Sequence, residues 1–342
     1  FAKIKLERND ELFVEVMRNG TIESSHFGVA VVCDYRGNVL ESWGDIEKLI
    51  FPRSAVKPML AADLVESGAS DHYGLSDAEL ALACSSHQGE PMHQKLVHEW
   101  LDRLGLTPEH LACGAVLPDD IESASKLLVA GEQCGRIHHN CSGEHAGFLT
   151  TALHLDMPLE NFHLVDHPLQ QLSLDGLSDL AGIDLRQYPI GIDGCGLPAP
   201  TMPLIQLGHA MARFAYPVDL SESRAQAIRR IHKAISNEPL YIAGHGTVVS
   251  DLNEVTRGAV IAKTGAEGII TAALPERRLG IAIKIADGSA RASSVALLAI
   301  LDHLDVLSDE EKQKLDAYIK PKIVNSRGLV VGEIRPATSW LQ

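Results

Sequence analysis

"FPRSAVKPML", Phe51 to Leu60, sets a serine and a lysine three positions apart, Ser54 and Lys57. On a helix, residues i and i+3 share a face, so the amine of Lys57 stands beside the hydroxyl of Ser54. A serine hydroxyl is a poor nucleophile until a neighbouring base takes its proton. Pro58 fixes the register, because proline is tolerated only around the first helical turn. The helix is therefore expected to begin very near Ser54, where backbone N–H groups can stabilise an oxyanion. Val56, Met59, Leu60, Leu64 and Val65 form its apolar stripe, and Gly68 stops it. The same spacing recurs at Ser123 and Lys126 in "ESASKLL", so spacing alone decides nothing.

Lys57 acts as a base only when neutral, which near neutral pH needs a depression of about 3 pKa units. Burial supplies part of it and a second cation nearby supplies more. "GAVIAKTG", Gly258 to Gly265, provides Lys263, followed by Thr264 and Gly265 on a strand. The expectation is that the charge of Lys263 keeps Lys57 neutral. A Ser-x-x-Lys at a helix start, followed later by Lys-Thr-Gly on a strand, is the pairing of serine acyl-transfer enzymes of the β-lactamase and penicillin-binding class. Those enzymes relay protons through a second hydroxyl, and "CSSHQGEP" offers Ser85 and Ser86.

Outward from these motifs, the pattern runs sheet, helices, sheet. "ELFVEVMRNG" and "GVAVVCDYRGNVLESWG" carry β-branched residues in alternation, the latter as a hairpin on Val31-Val32 and Val39-Leu40. From Ser54 to about residue 235 helical patterns dominate, interrupted by two loops, "HHNCSGEHAG" and "GIDGCGLPAP". The glycines of the second loop read as turns, since no P-loop lysine accompanies them. Strands return in "GAVIAKTG", "EGIITAAL" and "RLGIAIKIADG", then a helix, "SARASSVALLAILDHL", and a last strand, "GLVVGEIRP". The expected fold is α/β (α+β), one antiparallel sheet made from both chain ends with a helical lobe inserted. The sheet lobe covers about 1–53 and 244–342, the helical lobe about 54–243, with a cleft between them.

The totals bound the function. The 342 residues suffice for one large domain, and 45% hydrophobic with 22% charged residues excludes disorder as the main state. A net charge of −15 argues against nucleic acid or an anionic membrane as partner. No run approaches the ~20 apolar residues of a membrane helix. The N-terminal stretch lacks a signal-type apolar run. Six irregularly spaced cysteines read as reduced thiols, so a cytoplasmic protein is expected.

"FPRSAVKP", "CSSHQGEP", "HHNCSGEHAG", "DGCGLPAP" and "KTGAEGI", in this order, resemble the asparaginase II family, the L-asparaginases found in rhizobia. The resemblance runs from "TIESSHFG", Thr21 to Gly28, to "GLVVGEIRP", Gly328 to Pro336. It implies a fold like serine β-lactamases and glutaminases, a homodimer, and hydrolysis of L-asparagine to L-aspartate and ammonia. It places the nucleophile on Ser54, its partner on Lys57, the second serine on Ser86 and the second lysine on Lys263. It also implies a zinc site on Cys141 and Cys195 with a lysine, but this chain reads "CSGEH" where the family usually reads "CSGKH". Glu144 stands there instead, and a carboxylate is a better ligand than an ammonium group. His138, His139 and His145 crowd the same loop as alternative ligands. Arg53 or the metal would meet the substrate α-carboxylate, and Asp193 or Glu267 its ammonium. His87 and Thr264, inside two of the motifs, complete the substrate-binding candidates. A glutaminase or a β-lactam- or peptide-hydrolysing enzyme is an alternative. So is an inactive metal- or amino-acid-binding relative.

Overall fold

A computed structural model describes residues 10–341. Residues 1–9 of the expected sheet lobe, and residue 342, lie outside the described residues. The strands in chain order are β1 (Glu11–Arg18), β2 (Thr21–Asp34), β3 (Val39–Trp43), β4 (Leu49–Ile50), β5 (Ile190–Ile192), β6 (Pro198–Pro200), β7 (Met202–Pro203), β8 (Ile261–Thr264), β9 (Ile269–Leu274), β10 (Leu279–Ile285), β11 (Lys322–Val324) and β12 (Val330–Pro336).

One eight-stranded sheet runs β11-β12-β1-β2-β10-β9-β8, with β3 paired to β2. Every pairing in it is antiparallel. The two ends of the chain therefore share one sheet, as the sequence pattern implies. β2 is the hinge of this arrangement: residues 21–28 pair with β1, and residues 28–34 pair with β10. Val29 to Cys33 are all fully buried, so both faces of the strand are covered, and the run reads as continuous rather than alternating. The helices Leu204–Ala215 and Ala290–His303 both pack on β10. The expected hairpin is present, with Cys33 opposite Val39 and Val32 opposite Glu41.

Two local expectations are corrected. Ser54 lies on a 3-10 turn, Arg53–Val56, and the α-helix begins only at Lys57, running to Glu66. Pro58 still sits in the first turn, where its missing N–H costs nothing. The two motif loops are also more regular than read. "HHNCSGEHAG" runs into the helix Ser142–His154, so Glu144 sits on its first turn. "GIDGCGLPAP" folds as the small hairpin β5–β6. A helix at Val248–Thr256 and the edge strand β11 were not among the expected elements.

Candidate active site

The 3-10 turn with Ser54 is held against the end of β8 by close backbone approach. A Cβ on Gly265 would stand 2.7 Å from the Pro52 carbonyl and 3.3 Å from the Ala55 nitrogen. Only glycine lets the Lys263-Thr264-Gly265 strand reach the Ser54 turn. β8 is fixed on its free edge by Asn253, whose side chain accepts from the Ala262 N–H at 2.9 Å and donates to the Ala262 carbonyl at 3.1 Å. The Ser86 loop is stitched to another part of the chain, with Ser86 N–H donating to Ile242 O at 3.0 Å and Gln88 N–H to Ala243 O at 2.7 Å.

Lys57, Ser86 and Lys263 meet in one network. Lys263 Nζ donates to Ser86 Oγ at 2.9 Å and to Thr264 O at 2.8 Å. Lys57 Nζ donates to Ser85 O at 2.8 Å and to Ser86 Oγ at 3.4 Å. Both lysines are buried. Ser54 lines a cleft together with Lys57, Arg53, Asp193, Glu144 and Cys195. Among the described residues, the Ser54 hydroxyl has no hydrogen-bond partner. Arg53 takes a left-handed φ of 51° beside it, a conformation that costs about 1–2 kcal/mol. Its Nη2 donates to Asp193 Oδ1 at 2.6 Å, and its Nε is buried without a partner.

Cys141, Glu144 and Cys195 close the other side. Their ligand atoms lie within 4.8 Å of one another and all three residues are buried, so the group could hold a metal ion. The residues fit that role. Two thiol sulfurs and a carboxylate oxygen are suitable zinc donors. Glu144 Oε2 is moreover buried without a hydrogen bond. Lys57 Nζ stands 3.0 Å from that oxygen and 3.1 Å from Cys141 Sγ. The Lys57–Glu144 contact is a buried ion pair.

A model of the L-asparaginase II family matches residues 14–336. The chain belongs to the L-asparaginase II family. Family membership makes it an amidohydrolase. No curated protein gives a significant match. Among solved structures it is similar to a β-lactamase from Mycobacterium bovis, at 15% identity and a TM-score of 0.39, covering 80% of this chain and 94% of that one. A putative β-lactamase from Bacteroides dorei matches at 14% identity and a TM-score of 0.44, covering 80% of this chain and 93% of that one. Mglu in its glutamate form matches at 16% identity and a TM-score of 0.37, covering 82% of this chain and 61% of Mglu. Among the described residues of this asparaginase II chain, no helix is long and apolar enough to cross a membrane.

Electrostatics in this asparaginase II site reverse one expectation. Burial pushes Lys57 toward losing its proton, but Cys141, Glu144 and Cys195 together hold its pKa above the ordinary lysine value. Lys263 is the lysine driven down, to about 7, by burial and then by the charge of Lys57. Lys57 therefore keeps Lys263 neutral, and not the reverse. The reason is the Cys141 sulfur, the group held anionic: Lys57 touches it, with Glu144 alongside, whereas Lys263 touches a hydroxyl and a carbonyl. Burial raises Glu144 to about 8 even though Lys57 pulls it down. Cys141 is held low, first by the hydrogen bond from Cys195, while Cys195 is raised in turn.

Other expected residues fall elsewhere. His87 is fully buried, and it does not line the cleft. Its Nδ1 accepts from Gly89 N–H at 3.0 Å, which puts its proton on Nε2, 2.8 Å from Ser142 Oγ. Both ring nitrogens being engaged, it braces the loop behind Ser86. Glu267 is exposed in the turn between β8 and β9, outside the cleft lining but near enough for its charge to act on Arg53. His138 and His139 accept backbone N–H groups of Gly135 and Cys141 through Nδ1. His145 packs edge-on to Phe162, and burial lowers it to about 3. None of the three histidines joins the Cys141–Glu144–Cys195 group. Ser123 and Lys126 stay apart from the cleft, on the helix Ile121–Ala130. Gln170 and Ser173 line the cleft and were missed. The signal was available: in "HPLQQLSLDGL" they are polar residues on the same helical face as Leu174 and Leu177.

Proposed function

We propose that this chain is an L-asparaginase, hydrolysing L-asparagine to L-aspartate and ammonia through an acyl-enzyme on Ser54. The observation that carries this is Ser54 at the cleft beside the Lys57–Ser86–Lys263 network, in a member of this family. Ser54 attacks the side-chain carboxamide as Lys57, having first given one of its ammonium protons to Ser86, takes the Ser54 proton in its place. Ser86 in turn protonates Lys263, the lysine that burial makes basic only near pH about 7. The relay returns a proton to the departing ammonia, and water then cleaves the ester. The oxyanion is met by the Ser54 N–H and a strand N–H beyond Lys263. The N–H of Gly265 is not that donor, since it bonds Ile269 O at 2.8 Å. Arg53, which lines the cleft, receives the α-carboxylate, and Asp193 receives the α-ammonium. Thr264, next to Lys263 on β8, contributes its carbonyl, which accepts from Lys263 Nζ at 2.8 Å and so orients that amine.

Zinc held by Cys141, Glu144 and Cys195 would supply fixed positive charge beside the substrate. The working unit is taken as a cytoplasmic homodimer of a single catalytic unit, 1–342, with sheet lobe 1–53 and 244–342 and helical lobe 54–243. A second reading, a relative that binds without turnover, draws on the contact between Glu144 and Lys57. One assay separates them: ammonia release from L-asparagine and L-glutamine by wild type and Ser54→Ala. Wild type releases ammonia from L-asparagine and Ser54→Ala loses about a thousandfold or more. Retention of most activity in Ser54→Ala would remove Ser54 as nucleophile. L-asparagine bound without ammonia release would favour the second reading.

A further inference from the structure

The Lys57 ammonium already occupies the donor group that would hold a metal. Its Nζ stands 3.0 Å from Glu144 Oε2 and 3.1 Å from Cys141 Sγ, two of the three donors. Lys57, Glu144, Cys141 and Cys195 are 3%, 6%, 6% and 4% exposed, so water does little to screen charges placed there. A metal bonds thiolate sulfur at about 2.3 Å and carboxylate oxygen at about 2.0–2.2 Å. An ion at those distances from both donors would stand within a few ångströms of Nζ, and two cations that close in a dry site repel strongly. Beyond that ion pair Glu144 Oε2 has no hydrogen-bond partner, so the buried oxygen keeps lone pairs that a metal could use.

We propose that Lys57 is the resident cation of the Cys141–Glu144–Cys195 group and competes with a divalent metal ion for it, Glu144 being the ligand that both cations share. This rests on the metal reading given above. With the donors turned to a metal, Lys57 keeps its two other partners, Ser85 O at 2.8 Å and Ser86 Oγ at 3.4 Å. The state of the donor group thus sets which partners hold the amine beside Ser54. The exchange depends on a carboxyl group at position 144. A lysine there, as in the usual family pattern, would oppose Lys57 rather than hold it.

The test is zinc affinity, measured by competition with a chromophoric chelator on wild type, Lys57→Met and Glu144→Gln. Lys57→Met is expected to bind zinc about tenfold tighter or more, because the competing charge is gone. Glu144→Gln is expected to bind about 10- to 100-fold more weakly. Melting temperature gives a second readout: added zinc should raise that of Lys57→Met further than that of wild type, since tighter binding stabilises the folded state more. Lys57→Gln, which keeps a donor towards Ser85 O, replaces Lys57→Met if the latter does not fold. Equal or weaker zinc binding by the folded Lys57 variant overturns the competition while leaving the metal reading intact. Absence of zinc binding by wild type and both Lys57 variants overturns the metal reading itself, and the competition with it.

Discussion

Lys57 and Lys263 show how two identical side chains acquire opposite tasks. Both are buried and both reach Ser86 Oγ. Only Lys57 is in direct contact with the Cys141 sulfur, which is held anionic, so the proton stays on Lys57 and leaves Lys263 first. The sign gives a pH dependence. A lysine lowered to about 7 is neutral above that pH and charged below it. The fraction of competent enzyme therefore rises as pH increases through about 7, and kcat/KM for L-asparagine should rise with it. Lys263→Met should be weakly active with that limb missing. A limb that persists unchanged in Lys263→Met would assign it to another group. The sequence named both lysines but divided their roles the other way round, because the deciding groups, Cys141 and Glu144, are remote along the chain.

At the scale of elements, the site is set by how closely two helices approach. Gly143 lies in the first turn of Ser142–His154, between the residues that carry the Cys141 thiol and the Glu144 carboxylate. A Cβ there would stand 2.4 Å from the Leu82 carbonyl oxygen and 2.6 Å from Leu82 Cγ. Backbone cannot yield as a flexible side chain can, so Gly143→Ala must move the helix. The expected cost is about 1–3 kcal/mol in urea denaturation, together with weaker zinc binding. An alanine variant as stable as wild type would show that the two helices separate freely. "CSGEH" announces a special position by its glycine, yet Leu82 as the opposing wall is not visible in it. The start of the Lys57 helix was legible from Pro58 to within one turn. The 3-10 turn that carries Ser54 was not, because its shape depends on contact with Gly265, just past the end of the distant strand β8.

Across the whole molecule, the two chain ends close one sheet. β1 is flanked by β2 and by β12, and Trp340 folds back to stack on Phe13 at 4.2 Å. Trp340 is 7% exposed and also meets Trp43 edge-on at 5.8 Å. Trp340→Ala should cost about 3 kcal/mol, the lower end of such losses, since the indole N–H is buried without a partner. Equilibrium denaturation checks this, and a change below about 1 kcal/mol would mean that the C-terminal segment does not fasten the sheet. By itself the sequence determined the sheet–helix–sheet order, the antiparallel closure, and the serines, lysines and cysteines that gather. Those follow from periodicity, turn chemistry and motif order, which are local properties. Tertiary structure alone decided which lysine lies against Cys141, that His87, His138 and His139 are held in loop hydrogen bonds, and that Glu144 faces Lys57. Charge states and side-chain roles follow from distances of a few ångströms between residues remote in sequence, and no local pattern encodes those distances.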